Sequence, residues 1–210
     1  MNTMRSILVT AFDPFGGEDI NPALEAMRRL PSKLGEVDIL KVEVPTSFSR
    51  CFEVVRNAID ENRPLAIIML GQAGGREAIS VEEVAVNLDE ARIPDNDGEQ
   101  PRNRRIIEDG PSEYRSSLPI GEIIATVSDL GLPCVASTSA GTFVCNHLFY
   151  LVMHLLSKNR LSKDGMIPAG FIHVPYETSQ TIGKEGVYSL PIEEMVKAVM
   201  AIIEVVIKPE

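Results

Sequence analysis

Residues Leu65–Leu70 form an unbroken apolar run of strand length. A strand covered on one face alternates polar and apolar residues, whereas a run without alternation is covered on both faces. That is the signature of a central strand in a sheet with helices on each side. The rest of the chain repeats the frame, because short apolar runs alternate with longer amphipathic ones. Ile7–Phe12, Val37–Val44, Cys134–Ser137 and Ala169–Val174 read as further strands, and Ile79–Leu88 as another with poorer alternation. Asn21-Pro22 opens a helix, with Asn as the cap and Pro at the first helical position. Thr46 is the expected cap of a second helix reaching about Asn62, in which Phe48, Cys51, Phe52, Val55 and Ile59 make one buried stripe.

Ile120–Leu130 and Glu193–Ile207 are also expected to be helical. Phe143–Leu156 is apolar almost all round, as in a buried helix. Between Asp89 and about Pro119 the chain is rich in Pro, Asp, Asn, Gly and Arg, an excursion of the length usually kept for function. With 210 residues, no internal repeat and no linker, the expectation is a single α/β domain over residues 1–210.

Charge excludes several roles. Thirty acidic residues against twenty basic ones leave a net charge of −10. A nucleic-acid binder needs a basic face to displace counterions, and an anionic membrane needs one to dock, so neither partner is expected. No apolar run approaches the about 20 residues that span a bilayer. Met1–Ser6 lacks the apolar centre and cleavage site of a secretion signal. Three cysteines without a CxxC pair fit a reducing cytoplasm and give no zinc or disulfide signature. The expected location is therefore cytoplasmic.

Among the cysteines, Cys51 falls in a helical stripe and Cys134 in a strand read as buried, as small core residues do. Cys145 follows Ser137-Thr-Ser-Ala-Gly-Thr-Phe-Val144, a small-residue turn leading from a strand into a helix. There the helix dipole favours a thiolate and free backbone N–H groups favour an oxyanion. A buried helix is equally a place for an inert cysteine, so spacing leaves both readings open. His147 lies two residues along the same helix and does not face the thiol, and His154 is further from its start. His173 ends the strand Gly170–Val174, at the sheet edge where ligands collect and where the turn into the Cys145 helix is expected to emerge. Its structural alternative is a hydrogen-bonded histidine at a strand end. An orienting carboxylate cannot be selected from thirty, although at most one of Glu82 and Glu83 faces the site if they lie in a strand. Phe12-Asp-Pro-Phe-Gly-Gly17 and Gly71-Gln-Ala-Gly-Gly-Arg76 lack both phosphate-loop spacings and read as tight turns at the carboxyl edge.

Five segments together resemble the pyroglutamyl peptidase I family of cysteine exopeptidases. They are Thr10-Ala-Phe-Asp-Pro-Phe-Gly-Gly17, Gly71–Arg76, Ala91-Arg-Ile-Pro-Asp-Asn96, Ser139-Ala-Gly-Thr-Phe-Val-Cys-Asn-His147 and Gly170-Phe-Ile-His-Val-Pro-Tyr176, in the family's order. The resemblance implies an α/β/α sandwich around a twisted, mostly parallel sheet. It implies hydrolysis of the bond after an N-terminal pyroglutamate, with no metal or cofactor. Cys145 would be the nucleophile, His173 the general base and acid, and Glu82 the orienting carboxylate. Phe12, Phe15 and Phe143 would wall the lactam pocket, with Gln72, Arg92 and Asn21 nearby, Asn21 supporting the pocket loop. A homotetramer or dimer is also implied.

One departure touches the site. The family's Pro-Glu-Arg-Val-Ala-Ile-Asn is Val81-Glu-Glu-Val-Ala-Val-Asn87 here, so an acid, Glu83, replaces an arginine beside the catalytic carboxylate. If that arginine neutralises charge near the site, the acid shifts the pH optimum or weakens activity. The first motif also carries Ala11 in place of the usual glycine. Two alternatives stand beside the peptidase: a lactam-binding homologue with an unreactive Cys145, and a transferase like the nucleoside phosphorylases, which share a related sheet.

Overall fold

The structure is a computed structural model that describes residues 5–158 and 167–208. Residues 1–4, most of the leading segment considered above, lie outside it. The strands are β1 (Ser6–Phe12), β2 (Lys33–Leu34), β3 (Val37–Val44), β4 (Ala66–Gln72), β5 (Ile79–Glu82), β6 (Val84–Val86), β7 (Glu113–Arg115), β8 (Cys134–Ser137), β9 (Ala169–Val174), β10 (Tyr176–Glu177) and β11 (Ser189–Leu190). The helices are α1 (Pro22–Arg29), α2 (Cys51–Asn62), α3 (Ile120–Asp129), α4 (Val144–Lys158) and α5 (Ile192–Ile207). A seven-stranded sheet in the order β2-β3-β1-β4-β9-β5-β8 forms the middle layer. β3, β1, β4 and β9 run parallel, while β5 is antiparallel to β9 and carries β8 parallel to itself.

The central strand is the one the sequence marks. Ala66 through Leu70 are at most 1% accessible, and each fully buried Ile or Leu contributes about 1.5–3 kcal/mol relative to exposure. Leu65 itself is 41% exposed and precedes the strand, which continues instead to Gln72. Side chains divide with a period of two. Ile68 and Leu70 of β4 join Ile7, Val9 and Ala11 of β1 under α1, α3 and α5, whereas Ile67 and Met69 join Leu8 and Phe12 under α2 and α4. Three layers, α/β/α, follow from this division.

Local signals explain some boundaries and miss others. The Asn21 side-chain oxygen accepts the Ala23 N–H at 3.0 Å and Pro22 opens α1, as expected. Thr46 does not cap α2, which begins at Cys51. Its N–H and hydroxyl are drawn to Asp13, donating to Oδ1 at 2.7 Å and to the carbonyl at 3.1 Å, so tertiary bonding wins over capping. The Ile79–Leu88 run divides at Glu83, because β6 leaves the main sheet to pair with β7 from the long excursion. β8 is a sheet edge, with Val135 48% exposed, so only part of it is buried as expected for Cys134.

Candidate active site

The period-two division decides which residues can meet. Glu82 and Ser80 alternate with Ile79 and Val81, which face the α1 layer, so Glu82 turns toward α2 and α4. His173 follows Phe171 by two residues on β9 and shares that face. In the register, Glu82 lies opposite Phe171 and Ser80 opposite His173, which sets carboxylate and imidazole on one diagonal. The imidazole Nδ1–H donates to Glu82 Oε1 at 2.7 Å. Because an ionised carboxylate only accepts, this bond leaves the lone pair of the neutral ring on Nε2.

Cys145 reaches the same place from α4. A Cβ built on Gly71 would lie 3.0 Å from the Cys145 sulfur and 2.8 Å from the Phe171 ring. Gly71 is the register partner of His173 on the neighbouring parallel strand, so thiol and imidazole stand over adjacent strands, which lie about 4.8 Å apart. The turn into α4 does not emerge at the carboxyl edge of the parallel strands as expected, since β8 runs opposite to β9 and ends at Ser137, beside Glu82. The chain gets back to the site through Gly141, at a positive φ of 77°, and through Thr142, whose hydroxyl donates to the Glu90 carbonyl at 2.8 Å. Asn146 then fastens α4 to β6 and the residues just after it. Its oxygen accepts the Val86 N–H at 2.8 Å, and its amide donates to the carbonyls of Val86 and Leu88 at 2.9 and 3.0 Å.

Cys145 and His173 open onto a cavity of about 710 Å³. Phe15 and Phe143 wall it, with ring centroids 5.9 Å apart, and Gln72 and Arg92 also line it. Phe12 does not: it is buried behind the site, stacked 6.5 Å from Phe171. It ends β1 on the inward face, and the chain turns toward the cavity only at Phe15. Asn21 supports the pocket loop from below, its amide donating to the Asp13 carbonyl at 3.4 Å while its oxygen caps α1. Tyr176, Glu90 and Ile93 line the cavity without having been assigned from sequence, although two of them lie in segments of the family motifs. Among the described residues no group of three or more His, Cys, Asp or Glu side chains is arranged to hold a metal.

The remaining histidines are engaged elsewhere. His147 Nδ1 is hydrogen-bonded to the buried Asp89 at 2.9 Å, and Asp89 also accepts from Arg104 at 2.9 Å. His154 Nδ1 pairs with the Tyr114 hydroxyl at 2.7 Å. Neither lines the cavity.

Burial pushes the Cys145 thiol up to about 12; the Glu82 charge adds to the rise, while the Arg76 charge and the residue's own backbone N–H oppose it. Burial also holds the His173 imidazole below its ordinary range, against the hydrogen bond and charge of Glu82. Both directions favour a neutral thiol and a neutral imidazole over a standing ion pair. Cys134 is raised as well, to about 11, and Cys51 further still, each chiefly by burial. The thiols are therefore not told apart by acidity. Cys145 differs in opening onto the cavity beside a histidine that can take its proton.

Residues 5–209 match the sequence model of the pyroglutamyl peptidase family. The chain belongs to that family. Among its relatives, the pyrrolidone-carboxylate peptidase of Enterococcus faecalis is 45% identical over 97% of this chain and 94% of its own length. That of Fusobacterium nucleatum is 44% identical over 99% and 95%. Among solved structures, pyroglutamyl peptidase I from Bacillus amyloliquefaciens superposes with a TM-score of 0.91 at 43% identity, covering 97% of this chain and 96% of that one. Pyrrolidone carboxyl peptidase from Pyrococcus furiosus superposes at 0.89 and 37% identity, covering 96% and 97%. The α/β fold read from the sequence is thus the fold of the family, and the chain is an enzyme of the peptidase class.

Proposed function

We propose that this chain removes an N-terminal pyroglutamate from peptides by thiol catalysis, through Cys145, His173 and Glu82. The observation that carries the reading is the Glu82–His173 hydrogen bond at 2.7 Å, made beside a cavity onto which Cys145 opens. His173 Nε2 takes the thiol proton as sulfur attacks the carbonyl that joins pyroglutamate to the next residue. The carbonyl oxygen gathers charge near the start of α4, where the backbone N–H groups have no helical partner. The imidazolium then gives its proton to the departing amine, the C–N bond breaks and a thioester remains. Water, deprotonated by His173, attacks the thioester; the C–S bond breaks, pyroglutamate leaves and the thiol is restored. No step calls on a metal or an organic cofactor.

The pocket suits the lactam. Pyroglutamate is small, flat and uncharged, so aromatic walls and a few polar contacts hold it without a charged anchor. Phe15 and Phe143 supply the walls, and Gln72, whose oxygen accepts from Gln180 at 3.3 Å, is the polar group on β4 nearest the loop. One catalytic domain over residues 1–210, acting in the cytoplasm as a dimer or tetramer, completes the proposal. The family match over residues 5–209 supports the single domain, the three cysteines without a CxxC pair support the location, and the resemblance to the family carries the oligomer. Among the described residues no helix is long and apolar enough to cross a membrane.

The test is release of a fluorescent amine from pyroglutamyl-amide, set against prolyl-amide, which lacks the lactam carbonyl. A kcat/KM at least about 100-fold higher for the lactam is expected, since a site built to bond a polar group rejects the analogue without it. Equal turnover of both, or of neither by folded and reduced protein, would count against the proposal.

Gly71 gives a second expectation. A methyl there collides with Phe171, itself wedged against Phe12, Phe149 and His173, and presses on the Cys145 sulfur. Phe171 is hemmed in by these rings, so the thiol is the group displaced, toward the cavity. Gly71→Ala is expected to lower kcat/KM about 100-fold, because small misplacements of reacting atoms carry costs of that order. Steady-state kinetics on protein whose circular dichroism matches the wild type checks it; wild-type activity would show that the thiol is less tightly placed than the geometry requires.

A further inference from the structure

Glu82 is wholly buried, and its oxygen Oε1 serves two donors at once. One is His173 Nδ1–H at 2.7 Å; the other is an N–H of the Arg76 guanidinium, Nη1, at 2.6 Å. Oε2 has no hydrogen-bond partner among the described residues. Arg76 comes from the turn after β4 and lines the cavity. Its Nη1 also reaches the Ser137 hydroxyl at 3.3 Å, and Nη2 donates to the Ser139 carbonyl at 2.8 Å. A single guanidinium thus touches the catalytic carboxylate and the turn that leads to the nucleophile. The mechanism above assigns it no part.

We infer that Arg76 is a positioning residue for the reaction: by sharing Glu82 Oε1 with His173 and gripping the Ser137–Ser139 turn, it fixes the imidazole and leaves it free to accept the thiol proton. The inference rests on the triad proposed above. Physically, a carboxylate that met His173 alone would place its full charge against the imidazole and favour the protonated ring, which is no base. A cation on the same oxygen offsets that charge. The directions agree. Glu82 raises both Cys145 and His173, and the Arg76 charge lowers both. The other charged groups around the cavity are Glu18, Glu90 and Arg92. Glu18 lies 3.8 Å from Lys184 and Glu90 3.4 Å from Arg102, so each acid has a cation of its own. Behind the thiol, Cys51 is itself held protonated by burial. This arrangement also bears on Glu83, since the cation that answers Glu82 comes from a different loop than the position the family fills with arginine.

The experiment is the pH profile of kcat/KM on pyroglutamyl-amide for wild type, Arg76→Gln and Arg76→Lys, with the pH dependence of Cys145 alkylation by iodoacetamide measured alongside. Losing the cation raises both titrating groups, so the Arg76→Gln profile is expected to move bodily to higher pH by on the order of one unit, with about tenfold lost at pH values on the acid limb and little lost near neutrality. Arg76→Lys keeps the charge and is expected to keep the wild-type limbs while losing kcat, because an ammonium cannot span both contacts. A folded Arg76→Gln with lower activity but unmoved limbs would overturn the inference, leaving Arg76 as a simple tether. Should Arg76→Gln fail to fold, limbs in Arg76→Lys displaced by a full unit would overturn it equally. Absence of lactam turnover in the wild type would strike the triad itself, a result distinct from either.

Discussion

Cys145→Ser is expected to lower kcat/KM on pyroglutamyl-amide by at least about 10³-fold while leaving the fold intact. The site is arranged for sulfur. His173 is held by burial below its ordinary range, so it is a weak base, and it takes a proton from a thiol far more readily than from an alcohol. Cys145 is 8% accessible and packs with Val144, Leu148 and Phe149 in the layer under α2 and α4. A serine is slightly smaller and sits there without strain, so thermal melting should change little. The comparison separates two ideas that share the same pocket. A lactam-binding protein without catalysis has no turnover to lose, and serine leaves its affinity for pyroglutamate untouched. The peptidase loses turnover and keeps binding.

Glu82→Gln is the second large effect, expected at about 10²- to 10⁴-fold in kcat. The side chain is fully buried, and its one bonded oxygen holds both His173 Nδ1 and Arg76. An amide oxygen in the place of Oε1 can keep both bonds, but it carries no charge, and the NH₂ group then sits where Oε2 has no partner among the described residues. Without the carboxylate charge, the imidazolium that forms when His173 takes the thiol proton loses its stabilisation. Removing a charge from a buried pair also strands Arg76, whose side chain is 29% exposed and can turn to solvent. The loss should therefore appear mostly in kcat, with KM changed little. A variant within threefold of wild type would mean that the carboxylate neither orients nor charges the ring.

Much of this arrangement is legible in the chain. The run before Gly71 marks the central strand, and the turn before Cys145 marks a cysteine near a helix start, which only the family resemblance singles out as the nucleophile. Alternation places either Glu82 or Glu83 on the site face, and only the family resemblance selects Glu82. What escapes is what depends on distant partners. Thr46 has good capping chemistry, yet Asp13 lies 33 residues away in sequence and takes its hydrogen bonds. Phe12 and Phe15 sit in one motif, but a turn of three residues puts one in the core and one at the cavity. Arg76 looks like the end of a glycine-rich turn until β5, beside β8, brings Glu82 and Ser137 within its reach. The direction of β8 is likewise invisible locally, because a short apolar strand carries no record of which way its neighbours run. Acidity misleads in the same manner: a helix start lowers a thiol and burial raises it, and here burial is the larger.

The most direct measurement is the stoichiometry of alkylation against activity. Protein treated with limiting iodoacetamide would be digested, and each of the three cysteines quantified by mass spectrometry alongside residual turnover of pyroglutamyl-amide. Cys51 is fully inaccessible and Cys134 is 7% accessible, whereas Cys145 opens onto the cavity. Activity is expected to fall in proportion to carboxamidomethylation of Cys145 alone, with free pyroglutamate slowing both together. Full turnover by protein whose Cys145 is completely alkylated would contradict the assignment of the nucleophile.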